Sequence, residues 1–146
     1  MTVIQMNLLN VRQGVIVHQV NCMDRIGAGI AGQIIRKWPI VERMYHEAFR
    51  HAEPESLFGS WQPVSVAPGL TVINCFTQYG YGNPRRTGKT YTDVNKLIAA
   101  LTEICEAYPY DQIWIPYGIG CGLGGANWNT LKYRLDDLPR LNVAKL

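Results

Sequence analysis

Short runs of branched apolar residues alternate with stretches of helical periodicity along the whole chain, and that alternation limits the fold more than any other feature. Residues 3–8 and 14–20 read as strands, the second built on Val15-Ile16-Val17. Residues 27–38 read as a helix with Ile30, Ile34, Ile35 and Trp38 on one face and a stop at Pro39. A helical reading continues over 41–51. Residues 63–66 and 70–77 form two further strands about the turn Pro68-Gly69. The most regular segment is 92–108. There Val94, Leu97, Ile98, Leu101, Ile104, Cys105 and Tyr108 repeat at helical spacing behind Thr92 as the cap. A strand over 112–117, a helix from 127 and a closing strand over 141–146 complete the pattern. Such alternation predicts an α/β fold around a mostly parallel sheet, with residues 1–146 as a single domain free of repeats and linkers.

Composition removes several classes of protein. At 47% hydrophobic and 17% charged, the chain is neither disordered nor coiled coil. No apolar run approaches the ~20 residues of a membrane span, and the first residues lack the basic and apolar regions of a secretory signal. A net charge of +3 is spread along the sequence, with Arg85-Arg86 its densest pair, so no stripe for direct nucleic-acid binding is expected. Cys22, Cys75, Cys105 and Cys121 form no metal-binding spacing with each other or with His18, His46 and His51. Reduced thiols, a cytoplasmic location, a monomer, no membrane association and no metal or cofactor are the expectations.

In parallel α/β folds ligands gather beyond the carboxyl ends of the strands. Two loops there carry chemistry. The first runs from His18 through Asn21, Cys22 and Asp24 to Gly27-Ala28-Gly29-Ile30, entering a helix through glycines that let backbone amides approach an anion. The second, Tyr117-Gly118-Ile119-Gly120-Cys121-Gly122-Leu123-Gly124-Gly125, has five glycines in eight residues between a strand and a helix, the pattern of an anion-binding nest. Each loop also has a plain reading as a tight turn. His18, at the end of an apolar run, is a candidate acid or base near neutral pH or else a satisfied structural residue. The segment Gly82-Asn83-Pro84-Arg85-Arg86-Thr87-Gly88-Lys89-Thr90 imitates a P-loop. It spaces its glycines by five residues where four are needed, and it has no partner aspartate for magnesium.

Taken together, Val-Ile-Val-His-Gln-Val-Asn-Cys at 15–22, Gly-Ala-Gly-Ile-Ala at 27–31 and Ile-Gly-Cys-Gly-Leu-Gly-Gly at 119–125 resemble the macro domain family over essentially the whole chain. Asn74-Cys75-Phe76-Thr77-Gln78 and Tyr91-Thr92-Asp93 add to the likeness. The resemblance implies a three-layer α/β/α fold with a mixed, mostly parallel central sheet that binds ADP-ribose across its top. Carried over by position, Asn7 and Leu8 fall at the adenine side and Asn21 at the distal ribose. Gly27, Ala28, Gly29 and Ile30 line the first loop, and the amides of Ile119, Gly120, Cys121, Gly122 and Leu123 cradle the diphosphate.

Within the family the chain looks closest to the branch of ADP-ribose 1''-phosphate phosphatases and terminal ADP-ribose glycohydrolases. His18 falls where the phosphatases have their proposed catalytic histidine. The activity so implied is hydrolysis of ADP-ribose 1''-phosphate, with His18 activating water or protonating the leaving oxygen, Asn21 orienting the ribose and Asp24 a second base. Alternatives are a reader of ADP-ribose without chemistry, or a domain for another NAD-derived nucleotide. Where the glycohydrolases carry a lysine and an aspartate, this chain has Gln78 and Gly124, which disfavours lysine-dependent removal of ADP-ribose. The longer Asn-Ala-Ala-Asn loop of another hydrolase branch is absent. Ala144 stands where the closing strand usually offers an aromatic ring to the adenine.

Overall fold

A computed structural model describes residues 1–146. Six strands form one sheet in the order β1-β6-β5-β2-β4-β3. They are β1 (Thr2–Gln5), β2 (Gly14–Asn21), β3 (Trp61–Ala67), β4 (Leu70–Gln78), β5 (Ile113–Pro116) and β6 (Leu141–Lys145). Every pairing is parallel except β3 with β4, which the turn at Gly69 folds back antiparallel.

The helices are α1 (Gly29–Lys37), α2 (Pro39–His51), α3 (Pro54–Leu57), α4 (Pro84–Thr87), α5 (Val94–Ala107) and α6 (Trp128–Leu135). Strand alternation sends β2 side chains to opposite faces. Val15 and Val17 pack with Leu97, Leu101, Ile104, Leu131 and Leu135 of α5 and α6. Ile16 packs with Ile34 and Val41 of α1 and α2. The result is three layers, helix on sheet on helix, as expected.

The strands and long helices fall where the sequence predicts them, with local differences. The first strand stops at Gln5, because the Asn7 side chain accepts the amide of Leu9 at 2.9 Å and starts a 3-10 turn over Leu8–Asn10. Asp93, not Thr92, caps α5, accepting the amide of Lys96 at 3.0 Å. The single turns α3 and α4 have too few residues to show a period. The P-loop imitation is itself α4, capped by Asn83 and ended by Gly88. No helix is long and apolar enough to cross a membrane.

Topology places the site. After β2 the chain enters α1 on one face of the sheet, and after β5 it enters α6 on the other. β2 and β5 are adjacent, so the loops leaving them diverge and leave a crevice at their carboxyl ends.

Candidate functional site

That crevice is a cleft of about 1030 Å³, walled by the loop after β2, the start of α1, the segment after β4, the loop after β5 and the end of β6. Both glycine loops therefore face one space. Asn7, Leu8, Asn21, Gly27, Ala28, Gly29, Ile30, Ile119, Gly120, Gly122 and Leu123 all line it.

The first wall is held close to α1 by Gly32. A Cβ there would lie 2.3 Å from the carbonyl oxygen of Gly27, so only glycine lets the loop fold back on the helix. Ala28 supplies no side-chain cap, and the amides of the first turn of α1 stay open towards the cleft.

In the second wall the amides alternate in use. Those of Ile119 and Cys121 donate back to the carbonyls of Pro116 (3.2 Å) and Gly118 (2.8 Å). Those of Gly120, Gly122 and Leu123 donate to no protein acceptor. Of the five amides expected as a cradle, the turns forming the loop use two and leave three free.

A polar network behind the loop holds this arrangement. Gln19 Oε1 accepts the hydroxyl of Thr77 at 2.8 Å, and Gln19 Nε2 donates to Thr92 Oγ1 at 2.8 Å. The Thr92 hydroxyl donates in turn to the carbonyl of Gly120 at 2.8 Å. The carbonyl of Gly124 accepts the amides of Tyr91 and Thr92 at 2.7 and 3.0 Å. From the sequence, Gln19 and Thr92 belong to motifs of the family resemblance, and neither is given a role at the site. The signal for Gln19 is a polar residue near the end of an apolar strand, which also fits an exposed strand end, and Thr92 reads equally well as a helix cap.

Three expected site residues lie elsewhere. His18 is fully buried on the α1/α2 face of the sheet and does not line the cleft. Its Nε2 is 2.6 Å from Asn74 Oδ1, and Asn74 Nδ2 donates to Gln62 Oε1 at 2.9 Å. Burial pulls its imidazole down to about 4, so it is neutral at physiological pH. The cause is β alternation: in β2, position 18 points away from the face that Gln19 shares with the second loop. Asp24 also falls outside the cleft; it adopts a left-handed backbone (φ 56°) and is 2.6 Å from Nδ1 of His46 on α2. Cys121 turns its thiol back towards the carbonyl of Ile119 at 3.4 Å, and burial raises its pKa to about 11. None of the three side chains lines the cleft.

Asn21 does line the cleft, with its side chain committed. Oδ1 accepts the amide of Met23 at 2.9 Å and lies 2.7 Å from the Tyr45 hydroxyl, and Nδ2 donates to the carbonyl of Arg25 at 2.8 Å.

Charged and aromatic side chains complete the lining. Arg25 reaches across the mouth to Tyr81, with Nη1 3.3 Å from the phenol oxygen and the guanidinium 5.5 Å from the ring centre. At the other end Tyr117, Lys145 and Ala144 share the wall; Lys145 Nζ sits 4.3 Å from the centre of the Tyr117 ring. Arg25 and Lys145 bring positive charge to the two ends of the cleft. No Asp, Glu, His or Cys is among the lining residues. Nor do His, Cys, Asp and Glu gather anywhere in a group of three that could hold a metal ion.

No protein-family model and no curated protein matches this sequence. Solved structures do. A protein of unknown function from Bacteroides thetaiotaomicron superimposes with a TM-score of 0.83 at 23% identity, over 99% of this chain and 97% of that one. The macrodomain of Mycobacterium tuberculosis DarG gives 0.76 at 22% identity, over 98% and 94%. Thermosipho africanus DarTG, solved in complex with ADP-ribose, gives 0.74 at 16% identity, over 97% of this chain and 40% of that one. With six strands in this order, helices on both faces and these likenesses, the chain has the macrodomain fold.

Proposed function

We propose that this protein binds ADP-ribose, free or attached to another molecule, and does so as a reader without hydrolysing it. One observation carries the reading: uncommitted amides from two walls converge on a single cleft whose lining contains no carboxylate, imidazole or thiol. A diphosphate between the first turn of α1 and the amides of Gly120, Gly122 and Leu123 would meet N–H donors and a helix N-terminus on one side and fixed loop donors on the other. The donors are set in place before the ligand arrives, which lowers the ordering cost of binding. The distal ribose would then rest on the first loop. The adenine would lie towards Leu8 and Ala144, where Tyr117 offers the ring that Ala144 lacks. The likeness to Thermosipho africanus DarTG, solved in complex with ADP-ribose, supports this choice of ligand.

The catalytic alternative, hydrolysis of ADP-ribose 1''-phosphate, drew its acid and base from His18 and Asp24. With both outside the cleft, its lining offers no histidine or acidic side chain to activate water or to protonate a leaving oxygen. Phosphorus NMR of ADP-ribose 1''-phosphate separates the two readings. Binding predicts shifted or broadened diphosphate signals and no inorganic phosphate at catalytic protein levels. Growth of the phosphate signal would overturn the reader assignment, and unchanged spectra would overturn the choice of ligand.

A further inference from the structure

The first wall of the cleft is an irregular segment. Between the end of β2 and the start of α1 it holds a non-glycine residue in the left-handed region, Asp24, and two glycines with positive φ, Gly27 (147°) and Gly29 (58°). A segment with such a backbone needs an outside anchor to keep one shape.

The anchor comes from α2. Tyr45 is fully buried, its ring stacked on Phe76 (centroids 5.8 Å, interplanar angle 10°) and met edge-on by Phe49 at 5.1 Å. Only its hydroxyl emerges, under the loop. That oxygen lies 2.7 Å from Asn21 Oδ1 and 3.0 Å from the Asn21 carbonyl, one proton serving both, and it accepts the amide of Arg25 at 3.1 Å. Asn21 Nδ2 closes the circuit on the carbonyl of Arg25. Three elements of the loop, the Asn21 side chain, the Asn21 backbone and the Arg25 backbone, thus converge on one phenol. Burial pushes that phenol well above its usual range, so it stays protonated and keeps its donor.

We propose that Tyr45 is a positioning residue for the ligand: its hydroxyl sets the first wall in its binding shape and fixes where Arg25 departs for the cleft mouth, though Tyr45 itself does not line the cleft. The inference rests on the reading of the cleft as an ADP-ribose site. Its first test does not depend on that reading. Tyr45→Phe keeps the ring and its stacking and removes only the hydroxyl. Amide hydrogen exchange of the unliganded variant is expected to rise at residues 22–29 and to stay unchanged in β2, β4 and β5. Equal exchange in the loop would overturn the proposal whatever the ligand.

In titrations with ADP-ribose, Tyr45→Phe is expected to bind about tenfold more weakly, the loss associated with one buried hydrogen-bonding group. Phe49→Leu is the control, since it loosens the same aromatic cluster and leaves the Tyr45 hydroxyl and its hydrogen-bond partners in place. It is expected to lower the melting temperature and leave the affinity as it was. A matching affinity loss in Phe49→Leu, or none in Tyr45→Phe, would reduce Tyr45 to a core residue. Failure of the unaltered protein to bind ADP-ribose, with loop exchange still raised in Tyr45→Phe, would overturn the ligand and leave the positioning role standing.

Discussion

The hydroxyl of Thr92 donates to the carbonyl of Gly120 at 2.8 Å, and through that bond the segment before α5 holds the glycine loop that follows β5. The same oxygen accepts Nε2 of Gln19, so one side chain joins the end of β2 to the second wall of the cleft. Thr92→Val keeps the shape and leaves the Gly120 carbonyl and the Gln19 amide without this partner. A cost of about 1–3 kcal/mol in stability is expected, read from urea unfolding. An unchanged midpoint would mean that the loop keeps its shape unaided.

Gly122 and Gly124 are two residues apart and differ in what surrounds them. A Cβ on Gly124 would stand 2.1 Å from Thr92 Oγ1 and 2.5 Å from the Gly120 carbonyl, two atoms already fixed by their mutual bond. Gly124→Ala is expected to cost roughly 1–3 kcal/mol, as overpacking does elsewhere. A Cβ on Gly122 meets nothing within 4 Å. Gly122→Ala should change stability by less than about 0.5 kcal/mol. Parallel thermal unfolding of the two variants checks the contrast.

His18 gives the fold a dependence on pH. Its imidazole titrates at about 4 in the folded protein against 6.5 in an unfolded chain, mainly through burial, with the Asn74 hydrogen bond opposing. As pH falls below 6.5 the unfolded state takes up the proton first, so this contribution is complete above 6.5, declines between 6.5 and about 4, and is then exhausted. The loss attributable to this group is about 3 kcal/mol at ~1.4 kcal/mol per pH unit. His18→Gln is expected to flatten that part of the profile, measured by urea unfolding from pH 7 to 4. An equally steep decline in the variant would assign the dependence to other groups.

The sequence made the layers legible for a physical reason. Strand and helix periods are set by core burial, and Val15-Ile16-Val17 and the repeat from Val94 to Tyr108 display them openly. Both glycine loops were legible too, since dense glycine after a strand is costly unless a backbone close approach uses it. Which side chains face the cleft was less so. His18 and Gln19 are neighbours of similar polarity, and the choice between them turns on the strand's phase relative to the cleft. Asp24 is drawn out of the cleft by His46, which is 22 residues away in sequence. Tyr45, Thr92 and Arg25 act through contacts made only once distant segments meet.

In the proposed complex a diphosphate sits against the open amides of Gly120, Gly122 and Leu123. Calorimetric titration of ADP-ribose into the protein and into Gly122→Val tests it most directly, because the new side chain fills the space the diphosphate needs and meets no protein atom at its Cβ. Saturable binding at one site per chain is expected, weakened at least about tenfold in the folded variant, or by some 1.4 kcal/mol. Binding of equal strength by both proteins, or no binding by the unaltered one, would contradict it.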